Sequence, residues 1–325
     1  MNTDLIKSIV EKQMNTTVKQ ICAVGKGASG SVYLVKITTE PYQIAVKTSK
    51  FYDAICKERE MLDFLSARVL YRVPKTYFLH QENDTVFLGM DYIKGMSGKS
   101  KYIVFVPSRK KLKNSIIDAL MNAQSIHNDK FGKYDNPVYD TWAEYYKDYF
   151  IDIYAFTKQK FEKNEIEDEI MEAVELINKN FDEIFSVTNN TACLCHGDFW
   201  MPNLIIDFWK SELAGAVDPF DMLWAEPEYE IFCLTLGFGE KLKLYDEYKK
   251  RNCFTTPDGY FEQLASEIEH ATSKNVAARS KTRSLTQRVV GIMSYAAMVA
   301  IVAIVATSII FNSRNNNLTA TIEEL

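Results

Sequence analysis

Asp198 and Asn203 stand in the run Cys195-His196-Gly197-Asp198-Phe199-Trp200-Met201-Pro202-Asn203, and a second acid, Asp218, follows in Ala216-Val217-Asp218-Pro219-Phe220. An acid, an amide five positions on and a later acid on a following strand form the spacing that phosphoryl transfer from a nucleotide requires. The first carboxylate can take the proton of an attacking hydroxyl. The amide oxygen and the second carboxylate are hard donors suited to Mg²⁺. The plainer alternative is a polar turn between strands, with Asn and Asp serving turn geometry alone.

The N-terminal region decides between the two. Gly25-Lys26-Gly27-Ala28-Ser29-Gly30-Ser31-Val32 reads G-x-G-x-x-G-x-V between apolar runs. Alone this pattern is weak, because it also opens the helix of a dinucleotide-binding unit. Here the glycines lead into Val32-Tyr33-Leu34-Val35-Lys36-Ile37, β-branched and aromatic, so a strand follows and not a helix. A turn at 38–41 and the run Gln43-Ile44-Ala45-Val46-Lys47 complete a hairpin. Its flap (Gly25, Gly27, Ala28, Ser29, Gly30 and Val32) can bring backbone against phosphate oxygens without a Cβ clash.

Lys47 closes that second strand, where its ammonium would meet the α- and β-phosphates. A carboxylate must hold such a lysine. Helical spacing over 53–66 puts Ile55, Met61, Leu62 and Leu65 on a core face. Glu58, four residues before Leu62 and seven before Leu65, shares that inward stripe, whereas Glu60 points to the side. The pairing is assigned to Glu58.

On these residues the chain resembles the aminoglycoside phosphotransferase and fructosamine (ketosamine) kinase group, small-molecule kinases on the protein-kinase fold, from about residue 18 to 248. The stretch Phe87-Leu88-Gly89-Met90-Asp91-Tyr92-Ile93-Lys94-Gly95 matches its hinge. The resemblance implies an α+β, bilobal protein-kinase-like fold: a β-rich N-lobe over 1–90, a hinge at 91–95 and a helical C-lobe over 96–285. It implies that Asp198 orients and deprotonates the acceptor hydroxyl, that Asn203 and Asp218 bind Mg²⁺, and that Lys47, held by Glu58, grips the phosphates with the flap. Main chain at Met90, Asp91 and Tyr92 would receive the base of ATP, with GTP left open. The implied activity is transfer of the γ-phosphoryl group to a hydroxyl of an aminoglycoside, a fructosamine or a related amino sugar.

The subfamily stays open. His196-Gly197-Asp198-Phe199-Trp200 and the pattern around His127, Phe131-Gly132 and Trp142-Ala143-Glu144 lean toward the fructosamine kinases, while Pro202 before Asn203 is familiar from the aminoglycoside enzymes. His127 itself reads as a structural histidine closing a helix. Where the family shows a second Asp that braces the catalytic loop, this chain has Glu230, one methylene longer.

Two other classes compete. A protein kinase would carry Arg at Gly197 and Asp-Phe-Gly at Asp218-Pro219-Phe220, and would need an activation segment far longer than the seven residues between Asp218 and Glu226. A nucleotide-binding pseudokinase scaffold, tethered to a membrane, is the other alternative; the filled catalytic positions argue against it.

Composition fits a folded enzyme with one attachment. At 325 residues, more than one core unit is expected. A net charge of −5 with scattered Lys and Arg excludes a basic stripe for nucleic acid. Six cysteines without metal-ligand spacing read as buried reduced thiols. Further strands are expected near 76–80 and 85–90, a C-lobe helix opening near Pro107-Ser108, and helices over 140–159 and 164–185. The last is rich in acid (Glu165, Glu167, Asp168, Glu172), either a solvated face or a wall that attracts a cationic acceptor.

Residues 289–311 are 23 consecutive uncharged residues, about 34 Å as a helix, enough to cross a bilayer. Arg279, Lys281, Arg283 and Arg288 precede them, so the positive-inside bias puts the catalytic lobes in the cytoplasm and the tail 312–325 outside. The expectation is a C-terminal apolar helix acting as a single-pass anchor.

Overall fold

The computed structural model describes residues 3–26, 30–185 and 191–251. Gly27, Ala28 and Ser29 of the flap and the apolar segment 289–311 lie outside the described residues. The architecture is mixed α and β: a sheet-rich N-terminal region, then a part in which helices predominate.

Helix α1 (Thr3–Met14) precedes strands β1 (Val18–Lys26), β2 (Ser31–Ile37) and β3 (Gln43–Ser49). Helix α2 (Tyr52–Ser66) and strands β4 (Thr76–Glu82) and β5 (Thr85–Asp91) complete this region. The five strands form an antiparallel sheet in the order β1-β2-β3-β5-β4. The inner strands β3 and β5 are buried along nearly their whole length, as central strands covered on both faces must be. Helix α1 was not read from the sequence. Its fully buried residues are Ile6, Ile9 and Val10, flanked by partly buried Leu5 and Met14, and they pack with Val35, Ile44 and Phe87 of the sheet. Helix α2 turns Ile55, Glu58, Met61, Leu62 and Leu65 inward, so the one charged residue on its buried face is Glu58.

Strand β6 (Met96–Ser97) leads to a 3-10 turn, Lys101–Phe105, and to helix α3 (Arg109–Gln124), whose Ser108 cap accepts the Lys111 N–H at 3.3 Å. Short strands β7 (His127–Asn128), β8 (Phe131–Lys133) and β9 (Asn136–Tyr139) follow. His127 does not close a helix: α3 stops at Gln124, and His127 lies on β7, exposed, opposite Cys193.

From Thr141 the chain forms a compact unit of its own. Helix α4 (Trp142–Glu162) opens with a capping box, Thr141 and Glu144. The single helix expected over 164–185 is instead two, α5 (Asp168–Lys179) and α6 (Phe181–Ile184). The break is at Asn180, whose side-chain amide donates to the Leu176 carbonyl at 2.8 Å and so competes with helix propagation. Aromatic packing of Tyr146, Phe150, Phe181 and Phe185 joins the helices. Glu165, Glu167, Asp168 and Glu172 are exposed, a solvated face.

The remaining elements return to the first unit: β10 (Ala192–Cys195), a 3-10 turn at Met201–Asn203, β11 (Leu204–Asp207), β12 (Glu212–Ala216) and β13 (Leu223–Ala225). Helices α7 (Pro227–Ile231), α8 (Phe238–Leu242) and α9 (Leu244–Arg251) end the described chain. One sheet runs β7-β10-β13-β8-β9 and a smaller one β12-β11-β6. The stripe Leu112, Ile116 and Leu120 of α3 shares a core with Phe199, Met201, Leu204 and Ala216. The second half of the 196–203 loop is thereby fixed in apolar packing. Cys193, Cys195 and Cys233 are buried free thiols, and burial pushes the Cys193 thiol up to about 12. Among the described residues no helix is long and apolar enough to cross a membrane.

Candidate active site

Lys47 is the hub. Strand β3 places it opposite Val32 of β2 and Leu88 of β5, in the buried middle of the sheet. Its ammonium donates to the Glu58 carboxylate and to the Asp218 carboxylate, each at 2.6 Å. Burial alone would lower its pKa, but the two carboxylates outweigh that and hold it above the ordinary lysine value. Glu60, the alternative partner, is exposed.

The catalytic-loop residues converge on the same point. β10 delivers His196 and Gly197, and the chain then turns so that the Asn203 amide donates to one Asp198 carboxylate oxygen at 2.7 Å and to the Asp198 carbonyl at 3.1 Å. The Val217 N–H donates to the Asn203 carbonyl at 2.9 Å, tying the Asp218 segment to the loop. Asp218 takes a left-handed φ of 60°, which Asp tolerates better than most residues. Gly197, at φ 83°, packs so closely on this segment that a Cβ would lie 1.9 Å from the Phe220 carbonyl oxygen. No side chain fits there, which is the structural reason for glycine at this position.

Glu230 braces the loop despite its extra methylene. Its carboxylate, fully buried on α7, accepts the N–H groups of His196, Gly197 (3.0 Å) and Phe199 (3.2 Å). Burial pushes this carboxyl up to about 7, with the three N–H donors pulling the other way. Because the folded chain holds the proton more tightly than the unfolded chain (about 4.5), its contribution to stability is full below about 4.5 and is lost as pH rises through about 7. Glu230→Gln should flatten that limb of a urea-unfolding profile against pH. It should also lower turnover about tenfold or more, because the Gln amide cannot accept three N–H groups.

Asp198 is mostly buried, and burial pushes its carboxyl up to about 6; the Asn203 amide opposes the shift and the nearby Asp218 carboxylate adds to it. A base must be ionised to accept a proton, so kcat/KM is expected to rise with pH through about 6 and level off above it. A pH–rate profile checks this limb. His196, buried and pushed down to about 4, stays neutral across that range.

Asn203 and Asp218 suit a magnesium ion. The Asn203 nitrogen is turned to Asp198, which leaves its oxygen to offer a cation, and the Asp218 side chain is half exposed. Among the described residues no cluster of three or more His, Cys, Asp or Glu could hold a metal. Mg²⁺ needs none, since it keeps waters and phosphate oxygens beside one or two protein ligands.

The flap and hinge residues are placed as follows. Gly25 and Val32 face each other across β1 and β2, and Gly30 packs on Thr48, where a Cβ would lie 1.9 Å from the carbonyl oxygen. Met90 is buried at the end of β5, with Asp91 and Tyr92 half-buried after it. The Asp91 N–H donates to the Lys75 carbonyl at 2.8 Å, and its carboxylate is held by Tyr77 and Arg72. That N–H is therefore spent, and a base docking here would meet neighbouring main-chain groups. Sequence reasoning missed the Gly197–Phe220 contact and the half-buried Asp221 next to it. Neither carries a periodic signal.

An antiparallel sheet with a buried Lys–Glu pair, and an amide-held Asp beside a second Asp that reaches the same lysine, form an arrangement suited to phosphotransfer of the protein-kinase type. The chain matches the model of the phosphotransferase enzyme family, APH, over residues 20–261, about three quarters of its length. It belongs to that family and is a small-molecule kinase. It is similar to the aminoglycoside phosphotransferase APH(2'')-Ib, ADP-bound, at 18% identity and a TM-score of 0.58, covering 91% of this chain and 98% of that one. The gentamicin complex of APH(2'')-IIa is similar at 20% identity and TM-score 0.54, covering 91% and 95%. APH(4)-Ia is similar at 13% and 0.61, covering 77% and 83%. At such identities the likeness establishes the fold. No curated protein sequence matches significantly.

Proposed function

We propose that this chain transfers the γ-phosphoryl group of ATP to a hydroxyl of a small cationic acceptor, an aminoglycoside or a related amino sugar such as a fructosamine. The observation that carries the reading is the double pairing of Lys47 with Glu58 and Asp218, next to the Asp198–Asn203 hydrogen bond. Asp198 orients the acceptor hydroxyl and takes its proton. Lys47, held by Glu58, and the flap from Gly25 through Gly27, Ala28, Ser29 and Gly30 to Val32 grip the phosphates, and main chain along Met90–Tyr92 borders the base. Asn203 and Asp218 would hold Mg²⁺, which when bound neutralises phosphate charge. The lobe division at 1–90, 91–95 and 96–285 belongs to this reading. The ADP-bound, gentamicin-bound and streptomycin-ATP complexes of similar enzymes favour ATP and an aminoglycoside-like acceptor. Acceptor-dependent ADP release is the test, run with Mg-ATP and Mg-GTP against aminoglycosides, fructosamines and simple sugars. Tight nucleotide binding with no ADP release under any condition would favour the scaffold alternative.

The same proposal makes residues 289–311 a single-pass anchor, with the kinase on the cytoplasmic side where ATP is. Its support is 23 uncharged residues preceded by Arg279, Lys281, Arg283 and Arg288. Phase partition of the full chain in a cloud-point detergent should recover it in the detergent phase; recovery in the aqueous phase would refute the anchor.

A further inference from the structure

Helix α3 begins with Arg109, Lys110, Lys111 and Lys113 and has no acid in its first turn. Cations at the positive end of a helix dipole are unfavourable. The arrangement therefore works against the helix that carries it. The cationic region continues beyond α3. An open cavity of about 500 Å³ is lined by Lys113, Lys243, Asp246, Lys249 and Lys250. Glu247 of α9 pairs with Lys113 at 3.5 Å and Lys250 at 3.9 Å, and Asp246 with Lys249 at 3.8 Å, so four ammoniums meet two carboxylates. Lys243 makes no ion pair among the described residues.

Beside this region two large aromatic side chains stand in solvent. Trp209, at the tip of the β11–β12 turn, is 82% exposed, and Phe105, at the end of the 3-10 turn, is 70% exposed. The segments that carry them adjoin the start of α3: the Ser108 N–H donates to the Ser211 hydroxyl at 3.0 Å, and Lys111 pairs with Glu212 at 3.0 Å. Trp209 lies two residues before Ser211 and Phe105 three before Ser108. The other three tryptophans, Trp142, Trp200 and Trp224, are buried or half-buried.

We propose that this face rests on an anionic membrane surface, with Trp209 and Phe105 inserted at headgroup level and the lysines against lipid phosphates. Exposed aromatic rings flanked by Lys and Arg suit the polar–apolar boundary of a bilayer, and basic residues near an anionic leaflet strengthen the contact. On a chain of net charge −5 the charge complementarity is local to this face. The chain beyond α9 points to the same partner: four more basic residues, Arg279 to Arg288, precede the apolar segment 289–311. The surface contact is distinct from that anchor and from phosphotransfer.

Trp209 supplies the test. Full-length protein is mixed with neutral phosphatidylcholine vesicles and with vesicles enriched in phosphatidylglycerol, both containing brominated acyl chains that quench tryptophan on contact. On anionic vesicles alone, emission is expected to shift to the blue and be quenched, with the quenching lost in Trp209→Phe. In Arg109→Glu/Lys110→Glu the quenching should disappear while ADP release stays unchanged. Equal quenching on both vesicles would overturn the proposal, as would its absence from a chain that stays vesicle-bound. Inorganic phosphate that reverses the quenching beyond chloride at equal ionic strength would assign the cluster to a soluble phosphate instead. Detergent partition reads the 289–311 anchor separately, so either idea can fail alone.

Discussion

Replacing Asp198 by Ala is expected to lower turnover by about 10²–10⁴-fold, the contribution of a positioned general base. Affinity for Mg-ATP should stay within a few-fold. The carboxylate is held by Asn203, whereas Lys47 takes its two partners elsewhere, at Glu58 and Asp218. Calorimetric titration and steady-state kinetics on one preparation separate the two quantities. Asp198→Asn is a useful companion, since it keeps the volume and removes the proton acceptor. Normal turnover in either variant would remove Asp198 from the reaction. A large loss of nucleotide affinity would instead mean that the side chain holds the nucleotide complex together.

Removing Lys47 should be costly in a different way. The Lys47 and Glu58 side chains are both only 7% exposed, so Lys47→Met leaves a buried carboxylate without its cation. Breaking a buried pair from one side destabilises by about 3–5 kcal/mol, whereas replacing both partners by apolar groups is often close to neutral. Urea unfolding should therefore show Lys47→Met strongly destabilised and Lys47→Met/Glu58→Leu largely restored. Activity should be restored in neither, because the phosphate-binding cation is gone from both. A double variant that regains turnover would show that the lysine only supports the fold. The Asp218 contact adds less to stability, since that carboxylate is half exposed and screened by water.

The parts of the site that were legible in the sequence share a local rule. Glu58 could be chosen over Glu60 because a 3.6-residue period fixes which side of α2 faces inward, and the ion pair forms at 2.6 Å. The hairpin could be told from a dinucleotide-binding turn because β-branched residues follow the glycines, and β2 runs from Ser31 to Ile37. Long-range geometry was not legible. The approach of Gly197 to the Phe220 carbonyl links two segments whose contact leaves no periodic trace. Glu230 was located by register alone. Its three accepted N–H groups show that backbone placement absorbs the extra methylene. Helix α1 escaped notice because its apolar residues are interleaved with charge in a short segment and only Ile6, Ile9 and Val10 become fully buried, and the break at Asn180 depends on a side chain competing for a carbonyl.

The most direct measurement follows the phosphorus atom. Purified full-length chain is incubated with γ-labelled ATP, Mg²⁺ and candidate amino sugars, and the products are separated by chromatography. Label should appear in an acceptor, depend on Mg²⁺, and be lost in Asp218→Asn. Saturable binding of Mg-ATP with neither labelled acceptor nor slow release of labelled phosphate to water would contradict the account.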